Sequence, residues 1–151
     1  MAQSSTTTTS TAGQRSGPER RFVDTGALVA LADRKDQFHG RAKEFFGRHA
    51  RAARWLTSDY VLDETATRLR AALGSTAAVT FVRAVRASAF YEVLPVDEGI
   101  FEAALEVMLK YADQSLSFTD CTSFALMQHL DLREVFGFDA DFLRCGFVLV
   151  P

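Results

Sequence analysis

The sequence is poor in cysteine, proline and long apolar runs. It has 151 residues, of which two are cysteine and three are proline. Cys121 and Cys145 lie too far apart for a Cys-x-x-Cys pair and are too few for a zinc cluster or a disulfide framework. No apolar run approaches the roughly 20 residues of a membrane span, and the N-terminus lacks the apolar core of a secretory signal. These absences predict a protein of the reducing cytoplasm with no membrane segment.

The motifs of several common enzyme classes are also missing. Neither a Gly-x-Gly-x-x-Gly run nor a Walker lysine loop is present, which disfavours a nucleotide-binding module. His39, His49 and His129 fall on predicted helices without an acid partner pattern, so we do not expect a nucleophile, histidine and acid triad.

Charge is divided unevenly along the chain. Residues 1–86 carry 14 basic and 8 acidic side chains, a balance of +6, whereas residues 87–151 carry 3 basic and 11 acidic, a balance of −8. The division fits either a basic binding face beside an acidic site or charges that intermix in the folded chain. The net charge of −2 therefore does not exclude nucleic acid as a partner.

The first residues differ in composition from the rest. Ser4 to Thr11 are eight consecutive serines or threonines, and nothing up to Pro18 can bury apolar surface. We expect a disordered Ser/Thr-rich tail over residues 1–20 and one domain over residues 21–151, which is within the usual size of a single domain.

From Phe22 onward, short apolar runs alternate with helical periodicity. This alternation predicts an α/β domain whose central, mostly parallel sheet is flanked by helices. The predicted strands are Arg21–Asp24, Arg54–Thr57, Tyr91–Val96, Val135–Phe138 and Phe147–Val150. Helices are predicted over 38–53 and 59–73 and along apolar stripes within 78–85, 101–112 and 124–130. We expect every stripe to face the core, and we expect Trp55 to be buried. The stripes include Leu62, Ala66, Leu69 and Leu73 within 59–73 and Phe101, Ala104, Leu105, Met108 and Ala112 within 101–112.

Three aspartates occupy positions where ligands bind in α/β sheets. Asp24 and Asp139 end predicted strands, and Asp120 precedes a predicted helix. Each alone is also an ordinary helix-capping residue. Together they would repel by about 4 kcal/mol per pair at ~4 Å unless a cation or a proton intervened. Oxygen ligands of this kind suit Mg²⁺ or Mn²⁺ better than zinc.

Glu64 looks different from these three. A helical wheel places it about 200° from Leu62, on the side opposite the predicted apolar stripe. Periodicity alone therefore predicts a solvated side chain that pairs with Arg68 four residues later.

Four acidic segments, in this order and with these flanking residues, resemble the PIN domain, in particular the VapC-type toxins of bacterial toxin–antitoxin pairs. The segments are Phe22–Leu28, Thr57–Glu64, Ser117–Cys121 and Phe138–Phe142. The resemblance implies a PIN-like fold in which Asp24, Glu64, Asp120 and Asp139 gather around one or two divalent cations. It also implies Asp141 as an accessory ligand, and for Glu64 it overrides the helical wheel.

The implied activity is Mg²⁺- or Mn²⁺-dependent hydrolysis of RNA phosphodiester bonds. In that scheme Asp24, Asp120 and Asp139 hold the metal, while Glu64 orients or deprotonates the attacking water or binds a second ion. The implied partners are an RNA substrate, a VapB-like antitoxin and a second copy of the chain in a homodimer. Candidate phosphate contacts are the arginines at positions 41, 48, 51, 54, 68, 70, 83 and 86.

This interpretation has three alternatives. A haloacid-dehalogenase-type phosphatase needs a second aspartate two positions after Asp24, where this chain has Gly26. A phosphorylated receiver domain needs a lysine after a late strand, and the lysines here are at positions 35, 43 and 110. A non-catalytic PIN-like module that binds RNA or protein stays open as the alternative function, although four intact acids disfavour it.

Overall fold

The fold is described from a computed structural model, which places residues 17–151. Most of the predicted Ser/Thr-rich tail, residues 1–16, lies outside the described residues. The first strand begins at Glu19, two residues earlier than predicted, and ends at Val23, so that Asp24 already belongs to the following turn.

Within the described residues the chain forms five strands and seven helices. The strands are β1 (Glu19–Val23), β2 (Ala53–Ser58), β3 (Tyr91–Leu94), β4 (Glu134–Phe136) and β5 (Val148–Val150). The helices are α1 (Thr25–Ala32), α2 (His39–His49), α3 (Asp59–Leu73), α4 (Ser75–Ala87), α5 (Glu98–Lys110), α6 (Phe118–His129) and α7 (Asp141–Arg144).

All five strands run parallel in the order β3-β2-β1-β4-β5. The predicted α/β class with a central parallel sheet is therefore confirmed. The chain builds outward from β1 to β2 and β3, then crosses back to place β4 on the other side of β1. This reversal creates a crevice beyond the carboxyl ends of β1 and β4, which is where open α/β sheets bind their ligands.

Aromatic side chains from α2 fix that helix on the sheet. Trp55 is fully buried, as predicted, and its indole N–H donates to the carbonyl of Ala50 at 3.1 Å. The rings of Phe45 and Phe46 pack against it at centroid distances of 6.1 and 5.2 Å. Both also pack on Phe136 of β4, which ties α2 to the strand that precedes Asp139.

A glycine separates the two helices that connect β2 to β3. Gly74 has φ of +91°, a conformation that side chains with a Cβ rarely adopt, and it ends α3 and directly precedes α4. The chain can therefore reverse there without a long loop, so that α4 packs against α3.

The predicted core face of α5 is only partly right. Ala104 is buried as predicted, but Phe101, Leu105 and Met108 are more than a third exposed. The helix packs through Ile100, Ala104 and Val107, so its buried face is rotated away from the predicted stripe.

The predicted core face of α3 is also partly right. Leu62 and Leu69 are buried as predicted. The buried side extends toward Val61 and Thr65, which leaves the predicted core residue Leu73 exposed.

No helix within residues 17–151 is long and apolar enough to cross a membrane. Both cysteines are free: Cys121 is buried and Cys145 is half-buried.

Candidate active site

The carboxyl ends of β1 and β4 bring Asp24 and Asp139 to the same crevice. The backbone N–H of Asp24 donates to the carbonyl of Phe136 at 2.9 Å, which joins the end of β1 to the end of β4. A Cβ placed on Gly137 would lie only 3.2 Å from the Cβ of Asp24. The glycine therefore lets the two segments approach closely, and Asp139 follows two residues later.

Asp24 is both the N-cap of α1 and the most deeply buried acid of the site. Its side chain is 6% exposed, and Oδ2 accepts a hydrogen bond from the backbone N–H of Gly26 at 3.2 Å. Burial raises the pKa of Asp24 to about 7, and the negative charges of Asp120 and Glu64 add to that increase. A carboxyl group in a cleft whose pKa is raised in this way is typical of a functional residue rather than of a simple helix cap.

Asp120 is likewise a structural residue of its helix. It forms a capping box with Ser117, in which the Ser117 N–H donates to Asp120 Oδ2 at 2.8 Å and the Asp120 N–H donates to Ser117 Oγ at 3.0 Å. Burial raises the pKa of Asp120, and hydrogen bonding of its carboxylate to the backbone and side chain of Ser117 opposes the shift. The charges of Asp139 and Glu64 raise the pKa further. The capping and site interpretations of Asp120 are thus compatible.

Asp139 and Asp141 occupy the turn between β4 and α7. Asp139 is exposed, and its Oδ1 accepts from the Asp141 N–H at 2.9 Å. The carboxylate of Asp141 pairs with the guanidinium of Arg144. Asp120, Asp139 and Asp141 each offer one carboxylate oxygen, and these three oxygens lie within 4.8 Å of one another.

Glu64 reaches the site from α3. It is half-buried, and among the contacts of residues 17–151 it makes no ion pair with Arg68. The helical-wheel prediction is therefore wrong, because the buried side of α3 is displaced toward Val61 and Thr65 and leaves Glu64 at its edge. Arg68 lines the same cavity, with its charge available to an anion.

These residues surround a cavity of about 410 Å³. All four acids predicted as site residues border it, and so does Asp141. Its remaining lining residues are Gly26, Asp36, Gln37, Phe38, Arg68, Ser115, Ser117 and Phe138. The segment Asp36–Phe38 was not predicted as part of the site. It forms a turn in which Asp36 Oδ1 accepts a hydrogen bond from the Phe38 N–H at 2.8 Å. An aspartate that favours such a turn was the one sign of this segment in the sequence.

A larger open concavity of about 1000 Å³ lies at the opposite ends of the strands. Most of its charged groups have partners: Arg54 pairs with Glu92 at 2.7 Å, Glu19 and Glu134 pair with Arg21, and Arg20 donates to the carbonyl of Leu130 at 3.0 Å. Within residues 17–151, the smaller cavity is the one that six acidic residues line, so it is the candidate active site.

The carboxylates of the smaller cavity fit a divalent cation. Several negative charges share one partly desolvated space. Burial raises the pKa values of Asp24 and Asp120, and repulsion from the neighbouring carboxylates adds a smaller increase. A bound cation would relieve that repulsion. All the acidic groups offer oxygen only, which matches hard cations such as Mg²⁺ or Mn²⁺ and not the nitrogen and sulfur preference of zinc.

Comparison with known proteins identifies the family of this chain. The PIN domain family profile matches residues 21–148. The chain belongs to the PIN-domain family. This PIN domain is 36% identical over 129 residues to the 23S rRNA-specific endonuclease VapC20 of Mycobacterium tuberculosis, covering 85% of this chain and 96% of that relative. The predicted resemblance to VapC-type toxins is therefore confirmed.

Solved structures agree with the PIN fold. The crystal structure of M. tuberculosis VapC20, described as a sarcin–ricin loop cleaving toxin, superposes with a TM-score of 0.79 at 35% identity, over 84% of this chain and 95% of that one. The DNA-bound VapBC complexes of Rickettsia felis and Salmonella typhimurium superpose with TM-scores of 0.66 and 0.65, each over 87% of this chain and 97% of the other. At sequence identities of only 10% and 16%, these two structures support the fold of this chain and nothing further.

Proposed function

We propose that this PIN domain is a Mg²⁺- or Mn²⁺-dependent endoribonuclease and the toxin of a VapBC-type toxin–antitoxin pair. The observation that carries the proposal is the gathering of Asp24, Glu64, Asp120 and Asp139 from four separate segments around one cavity. The similarity of the chain to an rRNA-specific endonuclease, which covers 85% of its length, supports the same activity.

The side chains divide the work as follows. Asp24, Asp120 and Asp139 would hold the cation, with Asp141 as an accessory ligand. A bound divalent cation would supply charge neutralisation, a more acidic water and stabilisation of the leaving oxygen. Glu64 would orient the attacking water and accept its proton, because it lies at the edge of the cavity and, within residues 17–151, forms neither a helix cap nor an ion pair.

Arg68 provides the positive charge for the substrate. It lies one helical turn after Glu64 and lines the cavity, so its guanidinium can bind a phosphate oxygen while the acids face the reacting centre. No covalent enzyme intermediate is needed, because the attacking group is water.

The partners in this proposal are an RNA substrate, a VapB-like antitoxin and a second copy of the chain. Two neighbours of this fold were solved as VapBC complexes, which supports the antitoxin. The homodimer is supported by the apolar side chains that α5 leaves exposed, Phe101, Leu105, Met108 and Leu109. The cytoplasmic location stays a prediction.

The test is cleavage of a labelled sarcin–ricin hairpin RNA and of 23S rRNA by purified protein. We expect cleavage with Mg²⁺ or Mn²⁺, none with chelator, and none by Asp24→Asn. Asp63→Asn is the matched control, since Asp63 is an exposed acid beside Glu64, and it should cleave like the wild type. Equal cleavage by wild type and Asp24→Asn would refute the proposed site.

Absence of cleavage by the wild type, with metal binding retained, would favour the non-catalytic module instead. Expression in a bacterial host gives an independent measurement. The wild type should arrest growth, and Asp24→Asn should not.

A further inference from the structure

Two aromatic rings border the acidic cavity, and none of the chemistry described above uses them. Phe38 precedes α2 directly, and Phe138 directly precedes Asp139. Their rings are stacked, with centroids 4.3 Å apart and an interplanar angle of 3°. Both are half-buried and line the cavity together with the acids.

The pair is held in place from several sides. The ring of Phe138 packs edge-on against the buried Phe136 at 6.3 Å, and the guanidinium of Arg41 lies 5.5 Å from its centroid. Arg41 also donates to the carbonyl of Pro151. Phe38 is fixed by its backbone, since its N–H donates to Asp36 Oδ1 and its carbonyl accepts from the Ala42 N–H at 2.9 Å. Each ring covers one face of the other, and Arg41 lies over Phe138, so the outer face of Phe38 is the preorganised surface on which a ligand can stack.

Such a surface offers no oxygen ligand to a divalent metal ion and no hydrogen bond to a phosphate. The part of an RNA substrate that an aromatic surface does bind is the face of a nucleobase. A base within a duplex has both faces covered by its neighbours, so only an unpaired base can stack on a protein ring.

We infer that Phe38, supported by the ring of Phe138, stacks an unpaired base next to the scissile phosphate. The inference rests on the proposed function and adds to it a residue that positions the substrate. Stacking makes this contact one with unpaired structure more than with a particular base, because every base has an aromatic face.

The test begins by mapping where the wild type cuts a sarcin–ricin hairpin RNA. Single abasic nucleotides are then placed on the 5′ and the 3′ side of that cut, and kcat/KM is measured for wild type and Phe38→Leu on each RNA. At one of the two positions, loss of the base and loss of the ring should each lower kcat/KM by about 5- to 100-fold. The two changes together should cost no more than either alone.

Three further measurements separate stacking from loss of structure. Phe38→Tyr should retain kcat/KM within about twofold, because its ring stacks equally well. Phe90→Leu is the matched control: Phe90 is also a partly exposed phenylalanine with a ring neighbour, but it precedes β3 at the opposite end of the sheet. The same RNA annealed to a full complement should be cut at least about 5-fold more slowly.

The inference is overturned if the wild type tolerates abasic nucleotides at both positions, an outcome independent of whether Phe38→Leu folds. It is also overturned if the effects of the abasic nucleotide and of Phe38→Leu multiply at both positions, or if the duplex is cut as fast as the hairpin. Each of these results would leave the proposed nuclease intact. If the wild type cuts no RNA, the proposed function itself fails and the inference falls with it.

Discussion

Replacing Asp24 by asparagine should stabilise the metal-free protein at pH 8 while it removes the activity. The carboxyl group of Asp24 is buried, and its pKa is raised from 3.8 to about 7. Holding that group ionised at neutral pH therefore opposes folding. Asparagine has nearly the same size, and its carbonyl oxygen can accept the bond that Gly26 N–H donates at 3.2 Å.

The magnitude follows from the two pKa values. Below pH 3.8 the carboxyl is protonated in both states, and between 3.8 and about 7 only the unfolded chain releases the proton. Stability contributed by the protonated group is thus fully present at low pH and is lost as the pH rises to about 7. The full loss is about 4 kcal/mol at 1.36 kcal/mol per pKa unit. Asp120, whose pKa is also raised, adds a loss of the same sign that Asp24→Asn retains.

The assay is urea unfolding of wild type and Asp24→Asn at pH 5 and pH 8 with chelator present. Taking the difference between the proteins at each pH cancels the titrating groups that do not interact with Asp24. Because about 2 of the roughly 3 pKa units lie above pH 5, Asp24→Asn should gain about 2 to 3 kcal/mol relative to wild type between pH 5 and pH 8. Asp63→Asn should gain nothing. Excess Mg²⁺ should then stabilise the wild type more than Asp24→Asn.

If Asp24→Asn is less stable than the wild type at pH 8 in chelator, the buried charge of Asp24 does not oppose folding as proposed. The same conclusion follows if the difference in unfolding free energy between the two proteins is equal at both pH values. Either result would mean that burial of the charge is not the dominant cost at this position.

Three other substitutions probe separate features. Glu64→Gln should lower kcat by about 100-fold or more with little change in melting temperature, as removal of a general base does; an unchanged kcat would remove Glu64 from the mechanism. Gly137→Ala should reduce kcat without a large loss of stability, because its Cβ would sit 3.2 Å from that of Asp24 and displace the carboxylate; wild-type kinetics would show that the contact is tolerated. Arg21→Met should lower the free energy of unfolding by about 2 kcal/mol while sparing activity, because the 8%-exposed arginine bonds Glu134 and Glu19 and packs beside Phe45 and Trp55; urea unfolding measures the change, and a more stable variant would contradict it.

The positions of the strands were predictable because each is a short apolar run between turns or helices. The bounds of β2 and β3 differ from prediction by at most two residues at either end. α1 was not predicted, since its sequence, Thr25–Ala32, is apolar on nearly every side and gives no periodic stripe. A helix buried between a sheet and α3 needs no polar face, so periodicity cannot identify it.

The acids at strand ends were predictable from topology alone, and Glu64 was not. Asp24 and Asp139 follow adjacent strands, and that adjacency decides their proximity. Glu64 depends on how α3 rotates about its own axis, and the rotation is decided by the packing of Val61, Thr65 and Leu69. A wheel drawn from Leu62, Leu69 and Leu73 misplaces it, and only the resemblance to a known family corrected the error.

The aromatic side of the site shows a different limit. Phe38 and Phe138 are 100 positions apart in the sequence, and each is an ordinary apolar residue in its own segment. Their stacking arises because α2 packs through Phe45 and Phe46 onto β4, which carries Phe138 beyond its end. Such a contact exists only in the tertiary structure.

The capping box of Ser117 and Asp120 has a consequence for genetic escape from toxicity. Asparagine at position 120 can still accept the bond from Ser117 N–H, so the chain should fold, lose its chemistry and continue to occupy antitoxin. Alanine removes the bond as well as the charge and weakens the start of α6 by about 1 kcal/mol. Variants selected for growth should accordingly fall into two kinds. The first are folded, inactive proteins that still bind the antitoxin, and the second are unstable proteins that proteases degrade.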